Sequence, residues 1–237
     1  MGVCGSAPQP YDFHRHSRLG DIIVTTPNSN GMVFIRCESV QFDEEKRSTS
    51  YKASGWPVAQ PIIQNIADQL VNKHEMDPDN SSWEEYIKDG QMLLKDQQED
   101  FTRPAPHTDR LLINMDSDTV IEIGHPKLPA GEEMKRYLNR NQPVIRRGPI
   151  FDGKVLEREE VRQDFSTRHQ CFGCDTEFDQ VIESIIGNRK DSFCFIRGVS
   201  DYRDGSKGTE WEPYASLAAA AFMKTVIEHL PPPGSLN

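Results

Sequence analysis

The sequence predicts an α/β fold: three layers, α/β/α, around a twisted and mostly parallel or mixed central sheet. Three observations predict it. Short β-branched runs recur between Gly, Pro and Asn residues, strand-like and helical patterns alternate in the second half, and a long Ala-rich helix comes near the end. The first strand signal is the run 21–26, from Asp21 to Thr26 between Gly20 and Pro27, and Met32-Val33-Phe34-Ile35 follows a turn at residues 28–31. Residues 38–52 are polar without a period and read as a loop. Pro61 suits a first helical position, and Ile62, Ile63, Ile66, Leu70 and Val71 line one helical face. Ser82 with Glu85 reads as a capping box opening a second helix. Residues 96–109 read as a loop, while 111–113, 119–123 and 143–150 read as strands. A helix is expected over 176–186, stopped by Gly187, and the most strand-like run is 192–197, leading into Gly198-Val199-Ser200-Asp201. Tyr214 to Leu230 is the Ala-rich helix, ended by Pro231-Pro232-Pro233.

At 237 residues the chain suits one good-sized domain. Twenty-seven basic against 37 acidic residues give a formal charge of −10, which repels phosphate backbones and anionic lipid. Nucleic acid and membrane are therefore not expected as partners, and no apolar run approaches the roughly 20 residues that span a bilayer. Five cysteines and no secretory apolar segment predict reduced thiols and a cytoplasmic protein. Cys171 and Cys174 form a C-x-x-C without the second ligand pair a structural zinc site needs, so no metal is expected and a loop-and-core role is preferred. The opening Met1-Gly2-Val3-Cys4-Gly5-Ser6 matches a myristoylation pattern, but a glycine-bearing turn at the end of a core strand is the preferred reading.

Ligands of open α/β sheets collect at the carboxyl ends of strands, and Asp201 sits at such an end. A desolvated carboxyl group there can serve as an acid near neutral pH. Glu177 opens the preceding helix and can reach the same rim. Two carboxylates around one pocket suit glycosidic chemistry, although an Asp after a strand is more often a turn residue. Arg197 reads as a buried partner for a carboxylate.

The run Phe195-Ile196-Arg197-Gly198-Val199-Ser200-Asp201-Tyr202, followed by Trp211-Glu212-Pro213-Tyr214-Ala215, resembles the nucleoside phosphorylase superfamily, in particular the subgroup attached to ankyrin or NTPase modules. Arg18-Leu19-Gly20-Asp21-Ile22-Ile23-Val24, Phe101-Thr102-Arg103-Pro104, Asp109-Arg110-Leu111 and Gly148-Pro149-Ile150 agree with it in order. The resemblance implies cleavage of a purine N-glycosidic bond, with Asp201 protonating the base and Ser200 placing it. Thr176 and Glu177 match the pair that holds the ribose, Gly153, Lys154, Val155 and Leu156 match the loop against the base, and Val3, Cys4 and Gly5 match a substrate loop. No cofactor is implied; phosphate is a co-substrate if the reaction is a phosphorolysis. The transition state is a cationic sugar with charge moving onto the purine, so an acid at the base and an anion at the ribose stabilise its two ends.

Relatives place several strands before the segment resembling Gly2–Gly5. The resemblance thus implies a partial sequence, a sheet completed by a partner chain or a second copy, or a fold that has lost catalysis. The stretch 38–142 resembles the subgroup's own insertion, mainly helical around 55–110, inside one domain over 1–237. Two functions follow: a purine nucleoside or nucleotide N-glycosidase, or a nucleoside-binding signalling module.

Overall fold

The computed structural model describes residues 2–77, 81–114, 120–127, 142–177, 179–188, 192–203 and 208–232. The strands are β1 (Gly2–Ser6), β2 (Ile22–Val24), β3 (Met32–Asp43), β4 (Ser48–Pro57), β5 (Leu111–Asn114), β6 (Val120–Ile123), β7 (Ile145–Arg147), β8 (Ile150–Asp152), β9 (Gly173–Cys174) and β10 (Ile196–Asp201). Among these residues the α-helices are α1 (Ile62–Met76), α2 (Ser82–Leu93), α3 (Glu159–His169), α4 (Asp179–Gly187) and α5 (Glu212–Glu228). Eight strands form one mixed sheet in the order β4-β3-β8-β9-β1-β10-β2-β7, and β5 pairs with β6 in a separate hairpin.

The sheet cannot be flat. β7 and β8 are joined only by Gly148-Pro149, yet they stand five places apart in the strand order. Five strand spacings measure about 24 Å, whereas the three residue steps from Arg147 to Ile150 reach at most about 11 Å. The sheet therefore curls until its β7 edge approaches β8. Backbone hydrogen bonds on both sides of the link record this: Gly148 N–H donates to the Val24 carbonyl, and Phe172 N–H to the Pro149 carbonyl.

β1 lies near the middle of that sheet, parallel to β10 and antiparallel to β9. The glycine-bearing turn expected at Gly2–Gly5 is thus a core strand, because hydrogen-bonding partners on both sides override the weak strand preference of glycine. The loop expected at 38–52 is largely a hairpin, with β3 and β4 paired from Met32 to Pro57. Its polar residues face solvent from an edge strand, so no apolar run marks it. The strand expected at 192–197 begins later and runs to Asp201, and the capping residue of α2 is Ser81 rather than Ser82, with no side-chain cap bond. The helix expected at 176–186 starts at Asp179. Of the range 55–110, α1 and α2 are helical, β4 ends at Pro57, and the stretch after Leu93 is mostly turn and loop.

One apolar cluster joins β2 and β10 to α1, α2 and α5; a second gathers around Phe165 of α3 with Phe151, Leu156, Cys171 and Cys174. The two C-x-x-C cysteines are thus core residues. The alanines of α5 let its backbone close directly onto β10, with Ala215, Ala218 and Ala219 fully buried. Among the described residues no helix is long and apolar enough to cross a membrane.

A side chain at Gly198 would collide with the backbone carbonyl of Ala215. Gly198→Ala should therefore destabilise the fold by about 1–3 kcal/mol, read as a fall in the thermal unfolding midpoint. An unchanged midpoint would mean that α5 does not seat on β10 this closely.

Candidate functional site

The core of the site is β1 and the strands on either side of it. Gly5 pairs with Asp201 on β10 and with Cys174 on β9, so the two neighbours bring their chain ends to the same rung. Two strand spacings, about 10 Å, separate those ends. β9 runs antiparallel to β1, so the residue after Cys174, Asp175, steps back toward Cys4.

Asp201 is buried. Its Oδ2 lies 3.1 Å from the Ser200 hydroxyl, and its Oδ1 accepts the Arg203 N–H at 2.7 Å. The same hydroxyl lies 3.4 Å from the Cys4 carbonyl, and the Thr209 hydroxyl donates to the Ser200 carbonyl at 2.7 Å. These bonds fix the carboxylate on the last residue of an apolar strand.

A second buried carboxylate, Asp175, pairs with Arg197 at 3.0 Å. Burial raises the Asp175 pKa, and the Arg197 charge opposes that rise. The Cys4 thiol feels the whole group: burial pushes its pKa well up, Asp175 and Asp201 add to this, and Arg197 counters it. Arg197 is thus the carboxylate partner that the sequence suggested. Asp175 was not singled out, since no motif marks it; its burial depends on a cation from a non-adjacent strand. At the end of β8 a further buried carboxylate, Asp152, lies 3.5 Å from Arg36, its partner in the same rung of the adjacent β3.

The remaining expected residues are distributed unevenly. Glu177 is exposed and Thr176 half-buried, and the Glu177 N–H donates to Asp175 Oδ1 at 2.9 Å. In the 153–156 turn, Gly153 is buried against Phe151 and Cys174, Lys154 and Val155 are exposed, and Leu156 is a core residue beside Phe165. Val3 is half-buried, and Cys4 and Gly5 are buried in β1. The structure thus gathers Cys4, Gly5, Ser200 and Asp201 with Asp175 and Arg197. Tyr202 and Ser6 line a small recess beside α3, whereas Asp201 and Glu177 do not line the three described cavities. Among the described residues no group of three or more His, Cys, Asp or Glu side chains is placed to hold a metal ion.

A hydrogen-bonded chain that the sequence did not reveal ties the loop before β2 to the β5–β6 hairpin. Gln9 N–H donates to His16 Nδ1 at 3.1 Å, so the His16 proton is on Nε2, which faces His125 Nδ1 at 2.9 Å. His125 Nε2–H then donates to the Asp109 carbonyl at 2.8 Å. The Asp109 carboxylate takes Arg18 at 2.6 Å and the Tyr202 hydroxyl. Both imidazoles are neutral in this arrangement. Burial, then the neighbouring His125, Arg146 and Arg18, push the His16 pKa from its ordinary 6.5 down to about 3.

Unfolded His16 takes up a proton below pH 6.5, and folded His16 only near pH 3, so its contribution to stability is complete above 6.5 and lost on acidification. Urea unfolding at pH 7 and pH 5 should show wild type losing about 2 kcal/mol more than His16→Gln over that interval. Parallel losses in the two proteins would contradict a neutral, buried His16. Comparison with protein-family models, with curated proteins and with solved structures finds no match to this chain.

Proposed function

We propose that the chain cleaves the N-glycosidic bond of a purine nucleoside or nucleotide, within a nucleoside-phosphorylase-like three-layer arrangement. The observation that carries the reading is the anchoring of Asp201: buried, at the carboxyl end of β10, with the Ser200 hydroxyl on one oxygen and the Arg203 N–H on the other. A carboxyl group held in one orientation out of bulk water can deliver a proton to a departing base without first reorganising. Asp175, buried across β1 from it, supplies the second carboxylate that a cationic sugar requires, and Glu177 stands exposed two residues further on, as a group for the ribose. The attacking group is water or phosphate, and adenine release in phosphate-free buffer distinguishes the two. Neither a resident cofactor nor a nucleic-acid or membrane partner enters this reading, which places the protein in the cytoplasm, alone or with a second copy or partner chain extending the sheet.

A nucleoside-binding module without turnover is the second reading. It is favoured by the ion pair between Arg197 and Asp175, which leaves less free negative charge for a developing cation.

Adenosine, methylthioadenosine and ATP should be tested for adenine release with wild type and Asp201→Asn. The catalytic reading expects release by wild type and a loss of at least about 100-fold in the variant, the scale of one positioned acid. Wild-type activity that survives the substitution sinks the assignment of Asp201. Calorimetric binding of adenosine with no release of base would favour the binding module.

A further inference from the structure

The cavity between α2, the segment 103–106 and the start of α5 lies apart from the carboxylates around β1. Its volume is about 370 Å³, within the range that holds a small organic molecule. Tyr214 forms part of it from α5, and its lining includes none of Cys4, Asp175, Arg197, Ser200 and Asp201.

Charge is the informative feature of this cavity. Arg103 is half-buried and lies over the rings of Trp211 and Tyr214, with its central carbon 5.7 and 5.6 Å from the two ring centroids. Among the described residues it makes no ion pair, and its Nη1 is buried without a hydrogen-bond acceptor. A guanidinium drawn partly out of water with no counter-charge is costly, and an anion removes that cost. The two rings stand at 77° to each other, and contact with both, together with a hydrogen bond to the Tyr214 side chain, holds the guanidinium in place, where its remaining N–H groups can receive a carboxylate or a phosphate. Lys88, on the same wall, is a second cation without an ion pair among the described residues. Two such cations in one cavity stand out on a chain whose formal charge is −10.

The rest of the lining defines the other end of the ligand. Glu84, Ile87, Lys88 and Gln91 follow the spacing of one helical face, so the cavity runs along α2. Glu84 lies one turn before Lys88, is buried, and accepts the Gln142 side-chain amide. Pro104, Pro106 and Pro143 close the cavity with rigid apolar surface. A ligand that satisfies all three features has an acidic group at Arg103 and Lys88, an apolar ring or short carbon frame against the prolines, and its neutral end toward Glu84.

We propose that this cavity binds a small organic anion, a carboxylate or phosphate monoester on a compact apolar body, with Arg103 and Lys88 as its ligands. The site uses no residue of the Asp201 cluster and stands independently of the glycosidase reading.

Calorimetry on the full chain should use benzoate, phenyl phosphate, inorganic phosphate and the neutral isostere benzamide. At least one aromatic anion should bind ten-fold or more tightly than benzamide, and more tightly than inorganic phosphate; which of the two wins identifies the acidic group. Arg103→Gln should weaken that binding about ten-fold, the scale of one charge-assisted contact. Because Arg103 also packs on Trp211 and Tyr214, the exposed Lys88→Glu serves as the second variant and should weaken binding without loss of fold. Asp201→Asn should leave it unchanged. Benzamide binding as well as benzoate, no anion binding at all, inorganic phosphate binding as tightly as phenyl phosphate, or a folded Lys88→Glu with full affinity would each overturn the proposal.

Discussion

The pairing of β1 with two neighbours of opposite direction is the constraint on which the candidate site depends. A parallel β10 carries Asp201 to the rung of Gly5 from one side, and an antiparallel β9 carries Cys174 to it from the other. The following residue, Asp175, then turns back to meet Arg197. A one-residue slip of either strand would invert which side chains face the cluster, placing a carboxylate among apolar side chains and freeing Arg197 of its partner. The curl forced by Gly148-Pro149 supports this arrangement by bringing Phe172, just before β9, into register with that link.

The apolar clusters explain why the register holds. β10 presents Gly198 to the α5 backbone while Ile196 and Val199 are buried, so its position is set by α5 on one side and by β1 and β2 along its edges. Asp109 performs a similar anchoring role near Tyr202, joining Arg18, the tyrosine hydroxyl and the histidine chain into one polar network. Groups of this kind stabilise only when every member is satisfied, and here the tautomers of both imidazoles follow from their neighbours.

Much of this fold was legible in the sequence. Ile22, Ile23 and Val24 announced β2 by branching, and the Ala-rich stretch from Tyr214 announced α5 by helix preference and small size. β1 was not legible because Gly2 and Gly5 carry no strand signal; only neighbours on both sides make it a strand. α3 has only Val161 and Phe165 to mark an apolar face, and the hairpin of β3 and β4 extends into solvent where polar residues suffice. At the site, Asp201 could be read from its place at the end of an apolar strand and Arg197 from its charge within one, while Ser200 was implied only by the resemblance. Asp175 could not, since what defines it is an ion pair across the sheet, and spacing along the chain contains no trace of that. Glu177, which the resemblance implied, stands exposed just beyond.

Crystals grown with adenosine test the central claim most directly, because they locate the ligand without relying on turnover. The account predicts ordered density for the purine with a ring nitrogen within hydrogen-bonding distance of an Asp201 oxygen and the ribose on the side of Asp175 and Glu177. Adenosine bound elsewhere, with Asp201 still closed off by Ser200 and Arg203, would contradict it.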